Sequence, residues 1–215
     1  MRKYFILVIL LFIAALTYSC ADPAADKPKA TVQNAAPESN SPKPVGTEAL
    51  VISSENSKVD FVAAKITRSH QGSFKQFAGK IDLAPNSIPD SRVTIDIDTG
   101  SVVTDEPELT AHLKTPDFFD VAKFPKATFV STKIEPVSTG GAQTFNVTGN
   151  LELHGIKKSI SFPANIQVTP ESVAVDADFA INRKDFGIVY AGKADDLIRD
   201  GVVMKLSLKV PRTKP

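Results

Sequence analysis

The sequence predicts an all-β fold of about eight antiparallel strands, with one short helical insertion between the third and the fourth. Three observations carry this. From Leu50 onward apolar residues recur at alternate positions, most cleanly in Arg92–Ser101, where Val93, Ile95 and Ile97 oppose Arg92, Thr94, Asp96 and Asp98. The second face of these runs is polar, the pattern of antiparallel sheets with water on one side. Links between runs are short, so neighbours in sequence are expected to pair in space. A closed barrel and a two-sheet sandwich both satisfy the pattern. Closure removes exposed edges, and about eight strands enclose either packed side chains or one small ligand. The inward positions Ala63, Gly79, Gly149, Ala164 and Ala177 are small, which suits a cavity and a tapered solid core alike.

The chain divides into three parts, residues 1–19, 20–48 and 49–215. The first reads as an export signal: Arg2 and Lys3, an apolar run from Tyr4 to Leu16, then small residues before Cys20. That run is shorter than the ~18 residues a membrane span requires. Leu16-Thr17-Tyr18-Ser19-Cys20 is similar to a bacterial lipobox, with Tyr18 departing from its small-residue pattern. Cys20 is the single cysteine, and an unpaired thiol in an exported protein is best explained as a lipidation site. The expectation is an envelope protein attached to a membrane by acyl chains, each buried methylene contributing about 0.8 kcal/mol. Residues 20–48 are rich in Ala, Pro, Lys, Asp, Ser and Asn, which predicts a disordered tether. The remainder has the size of one domain, and with one cysteine no disulfide within the chain supports it. Interspersed charges, a net charge of +1 and the absence of tryptophan give no sign of a nucleic-acid partner.

In order, strands are expected at Val51–Ile66, Ser69–Leu83, Arg92–Ser101, Ala127–Val137, Thr144–His154, Lys157–Thr169, Val173–Asn182 and Ile198–Val210. In the first, Val59, Phe61 and Ala63 alternate with Lys58, Asp60 and Val62, and Asn56-Ser57 marks a turn or bulge. The second places Phe77, Ile81 and Leu83 on one face and ends at Pro85, Asn86 and Pro89. Thr139, Gly140 and Gly141 allow a hairpin between the fourth and fifth. Ile160, Phe162, Ala164, Ile166 and Val168 line the sixth; Val202, Met204, Leu206, Leu208 and Val210 line the last.

After the third strand the period changes. Leu109 and Leu113 lie one helical turn apart, Asp105 is placed to cap, and Pro107 falls in the first turn. Thr115 then caps a second short helix opened by Pro116 and Asp117, and Pro125 stops it. Phe118, Phe119 and Phe124 form an aromatic wedge suited to closing one end of a β structure. An apolar lipid-facing exterior does not fit the charges on the polar faces, or the lack of aromatic girdles, so a membrane-spanning barrel is not expected.

Catalytic signatures are sparse. His70, His112 and His154 have no metal-ligand spacing, no serine sits in a G-x-S-x-G elbow, and no glycine loop cradles phosphate. Asp–His hydrolysis and a solid-core domain binding a protein partner remain as alternatives to a ligand container.

The runs DFFDVAKFPKATF (Asp117–Phe129), FNVTGNLELHGIKKSISFP (Phe145–Pro163) and INRKDFGI (Ile181–Ile188) occur in that order. Together, within Leu50–Pro211, they resemble the YceI-like polyisoprenoid-binding family. The resemblance implies a lipocalin-like, eight-stranded antiparallel barrel whose apolar tunnel takes a polyisoprenoid or other long-chain lipid. It implies neither a catalytic step nor a cofactor or metal. On the matching positions it points to His70, His154 and Arg183 for the head group, while the neighbours of Arg183 favour an ion pair with Asp117, Asp120 or Asp185 that fixes the loop. Phe61, Phe77, Ile95, Phe118, Phe119, Phe129, Leu151, Phe162, Phe179 and Met204 are expected to line or plug the cavity.

Overall fold

The alternating runs fold as strands in a computed structural model that describes residues 22–37, 46–138 and 143–212. The signal run, Cys20 and the Thr139-Gly140-Gly141 turn lie outside the described residues. In chain order the strands are β1 (Thr31–Asn34), β2 (Glu48–Ser53), β3 (Ser57–Ala64), β4 (Ser69–Phe74), β5 (Phe77–Leu83), β6 (Arg92–Asp98) and β7 (Val102–Thr104). The helix α1 (Pro107–Leu113) follows. Then come β8 (Lys126–Pro136), β9 (Thr144–Leu153), β10 (Ile156–Val168), β11 (Ser172–Asn182), the short β12 (Gly192–Lys193) and β13 (Asp196–Leu197), and β14 (Gly201–Pro211). The main sheet runs β2-β5-β6-β8-β9-β10-β11-β14-β3-β4-β7, antiparallel throughout, and it curls: β14, late in that path, bonds β3, whose chain neighbour β2 begins it.

The path therefore holds eleven strands where eight were expected, because two expected strands are each broken in two and β7 adds one that was not expected. The first breaks at the turn after Ser53, whose N–H donates to Asn56 Oδ1, and the second at Lys75-Gln76. The third, expected to reach Ser101, stops at Asp98, which accepts from the Gly100 N–H in the turn Thr99–Ser101 that leads into β7. Each bend lets one run serve two neighbours, so β2, β5 and β6 pair on one side and β3, β4 and β7 on the other. In this numbering α1 lies between the seventh and eighth strands.

Two helix details differ from expectation. Asp105 does not cap α1: Glu106 holds the cap position without a side-chain bond, and Asp105 turns to His70 instead. No second helix forms at Pro116. The Thr115 carbonyl accepts from Phe118 and Asp120, and Asp120 adopts φ 45°, so Thr115–Phe124 is a chain of tight turns.

The segment read as a tether is docked over residues 22–37. β10 and β11 pair only where Asn165–Val168 faces Val173–Asp176, and Pro163, with no N–H to give a ladder, stands at the fork. Beyond the fork β1 pairs with Lys158–Ser161 of β10, while Ala30 donates to the Ala180 carbonyl of β11 (2.8 Å) and Ala180 donates to that of Pro28 (2.9 Å). The segment thus fills the gap between two diverging strands, with Ala30 and Val32 against the interior cluster. Asn150, 3% exposed, holds it further: its Oδ1 accepts from Ala36 N–H (2.9 Å) and its Nδ2 donates to the Ala36 carbonyl (2.8 Å). Composition misses this because the docking is made by backbone bonds rather than by apolar bulk.

Candidate functional site

Inward-facing side chains of the curled sheet form two apolar clusters, one around Ile52, Val59, Val102 and Val210, the other around Phe162, Phe179 and Phe186. Phe129, Leu151, Met204 and Leu206 point inward from mid-strand yet are only half-buried, because they face a void rather than one another. The void is a cavity of about 160 Å³. Of the side chains expected to line it, Phe61, Ile95, Phe118, Phe119, Phe129, Leu151, Phe162, Phe179 and Met204 do so. Phe77 does not; it is buried in the first cluster, opposite Ile97 on β6.

Glycines position two of these rings. A Cβ on Gly149 would lie 2.4 Å from Phe129 Cζ, and one on Gly72 2.2 Å from Phe61 Cζ, so each ring lies over a bare backbone. Phe162 stacks on Phe179 at 4.0 Å, and Phe129 leans on Phe162 at 5.8 Å. At the α1 end Phe119 meets Phe74 edge-on (5.6 Å), and Phe118 packs with His112 and Tyr190. Phe124 is no part of the wedge. It covers the β9–β10 turn instead, against the His154 ring at 4.8 Å.

The three head-group candidates are not brought together, and Arg183 alone of them lines the cavity. Its guanidinium is 5% exposed and committed. Nε donates to the Arg199 carbonyl (3.1 Å), Nη1 to that of Ile188 (2.8 Å), and Nη2 to that of Ile198 and to Asp200 Oδ1 (each 3.3 Å). Burial pushes its pKa down and Asp200 opposes the shift; the group stays charged. Arg183 clasps the loop 187–200 into a collar at one end of the cavity. His154 (φ 52°) and Gly155 (φ 73°) make the two-residue turn joining β9 to β10, a left-handed geometry favoured in hairpins. His70 is buried beside Asp105, Nδ1 to Oδ1 3.0 Å. Burial raises the Asp105 carboxyl, but the bonds from His70 and the Gln71 N–H, with the His70 and Arg68 charges, outweigh it. Its pKa is held below the ordinary carboxylate range. A second pair, His112 Nε2 to Asp117 Oδ2 at 2.8 Å, sits on the surface. Among the described residues no group of three or more His, Cys, Asp or Glu is placed to hold a metal.

Every other lining residue is apolar. Several were not singled out from sequence. Leu153 and Ala127 continue visible alternation, and Ile198 opens the last expected strand although β14 begins only at Gly201; Ile188 sits in irregular chain, where no periodicity marks an inward position.

Comparison with known proteins agrees with this architecture. A model of the YceI-like domain matches residues 50–210. A UPF0312 protein of Pseudomonas putida (strain W619) is 32% identical over 145 residues, 62% of this chain and 74% of its own. One from Pseudomonas syringae pv. tomato is 30% identical over 159 residues, 68% of this chain and 81% of its own. Among solved structures, Burkholderia cenocepacia BcnA superposes with a TM-score of 0.65 at 25% identity, covering 74% of this chain and 98% of BcnA. A polyisoprenoid-binding domain from Saccharophagus degradans superposes with a TM-score of 0.61 at 19% identity, covering 78% and 99%. With the matched region spanning the whole curled sheet from β2 to β14, the chain belongs to the YceI-like family.

Proposed function

We propose that the protein is a lipid-binding protein of the bacterial cell envelope, anchored through Cys20, that holds or carries a polyisoprenoid or similar amphiphile without transforming it. The observation that carries this reading is a cavity whose lining is hydrocarbon throughout, apart from one arginine whose donors already bond four acceptors. Counting each bent run as one stave, β2/β3, β4/β5 and β6/β7 join β8, β9, β10, β11 and β14 as a lipocalin-like barrel of eight, with β14 returning to β3. The family and the polyisoprenoid-binding domain of similar fold support the ligand class.

Size sets what the cavity takes. One water-sized group needs roughly 10–15 Å³, so about 160 Å³ accommodates on the order of a dozen methylenes. At about 0.8 kcal/mol each, their burial contributes roughly 10 kcal/mol, the same order as the cost of association. A longer chain extends past the mouth or shifts the Phe and Met walls. The head group stays outside, since nothing polar and free lines the interior.

Mass spectrometry of organic extracts of natively purified protein tests this, followed by uptake of a prenyl phosphate and a quinone. A stoichiometric lipid, or saturable uptake, is expected; repeated absence of both refutes the reading. The His70–Asp105 pair favours hydrolysis as a second reading, under which His70→Ala abolishes a measurable turnover.

A further inference from the structure

We propose that the apolar rim formed by Ile66, Val189 and Leu197 is a bilayer-docking face that holds the cavity's mouth against the membrane. The inference rests on the lipid-container reading and on acylation of Cys20. Ile66, Val189 and Leu197 are 48%, 64% and 43% exposed, and with Val51 they make up the large exposed hydrophobics of the described chain. They belong to one small region. The Ile66 N–H donates to the Leu197 carbonyl (3.0 Å) and the Ile198 N–H to that of Ala191 (2.9 Å). Arg183 binds the carbonyls of both Ile188 and Ile198, the chain neighbours of Val189 and Leu197.

The rim adjoins the interior. An outer groove of about 260 Å³ is lined by Ile66, Ala191, Leu197 and Ile198 and also by the charged Arg183, Lys184, Arg199 and Asp200. Arg183 and Ile198 also line the inner cavity, so one layer of side chains divides the two spaces. Ile198 thus faces both spaces, with the exposed Leu197 next to it in the chain on the outer side.

Where the N-terminal chain joins the structure names the occupant. Asp22 Oδ2 lies 3.7 Å from Arg199 Nη1, beside the collar, and a Cβ on Gly201 would lie 2.8 Å from the Ala24 Cβ. Cys20 precedes Asp22 by two residues, a span of at most about 7 Å. Acyl chains on Cys20 therefore enter a bilayer at the end of the molecule that carries the rim. Several charges around the collar are paired, Lys65 with Asp196 (3.3 Å) and Lys184 with Asp200 (2.9 Å). Adhesion then comes from apolar insertion and does not need anionic lipid.

The test places the acylated full chain in phosphatidylcholine–phosphatidylethanolamine vesicles. Single cysteines introduced by Val189→Cys, Leu197→Cys and Val51→Cys carry an environment-sensitive fluorophore. Val51 is the control: it lies in β2 with Glu48, which pairs with Arg212 beyond the far end of β14. One dye per chain reports that Cys20 is blocked by acylation. Blue-shifted emission at 189 and 197, quenched by nitroxide-bearing acyl chains while the label at 51 is not, is the expected result. Labels at 189 and 197 that match the one at 51 overturn the docking face. Uptake of a prenyl phosphate by the same samples separates the two readings. Uptake without rim quenching sinks the face and spares the container; quenching with neither uptake nor co-purifying lipid supports the face and sinks the container.

Discussion

At the scale of single residues, Arg183 shows how far a side chain's type falls short of fixing its role. A fork of donors near a strand end suits a phosphate head group and a set of loop carbonyls equally, and the fold commits it to the carbonyls of Ile188, Ile198 and Arg199. Arg183→Met strands those acceptors and should cost about 3 kcal/mol, lowering Tm by roughly 10 °C in calorimetry. Arg183→Lys should not restore it, because one ammonium cannot span three carbonyls; wild-type Tm in the lysine variant contradicts the clasp. Asp105 offers a pH test. Its folded pKa lies below its ordinary value, so its stabilisation is complete above the unfolded value, about pH 4, and is lost as pH falls through the lower folded value. The gap in urea stability between wild type and Asp105→Asn should therefore shrink from pH 5 to pH 2. A gap that is unchanged over that range argues against the His70–Asp105 bond. The effect is small, since the Asp105 side chain is 42% exposed.

At the scale of elements, alternation located the strand-bearing regions, and Asn56-Ser57 marked the turn inside Val51–Ile66, but the breaks at Lys75-Gln76 and Thr99–Ser101 were not legible. Period two survives a bend, so Ser69–Leu83 reads as one run although the chain turns inside it. The segment of residues 22–37 was illegible for the opposite reason. Its short side chains carry no apolar signal, while its backbone supplies the partner that β10 lacks beyond Pro163. Asn150→Ala removes both bonds that pin Ala36. Hydrogen exchange should then quicken at amides 30–36 while β8 and β9 stay protected. Uniform protection across residues 22–37 in that variant would show that Asn150 does not hold the segment. Loss of protection throughout the sheet would instead make the segment part of the cooperative core.

At the scale of the whole molecule, the void is the property on which function turns. Ala63 lines it from β3, and Ala63→Phe places a ring in empty space. The variant should lower Tm by no more than the equivalent of about 1–3 kcal/mol, since Ala63 packs against the first cluster on one side and meets the void on the other, and it should lose co-purifying lipid by mass spectrometry. A fall of several kcal/mol with lipid retained shows instead that the position is already filled. By itself, the sequence determined the β class, the inward set from Phe61 to Met204 and the family, because period-two burial and ordered motifs are local properties of the chain. Only the tertiary structure decided that those inward side chains leave a void of about 160 Å³ between them. It also decided that a buried arginine closes a collar and that the N-terminal segment completes the wall. Each depends on distances between strands far apart in sequence, and no local pattern encodes the space left between them.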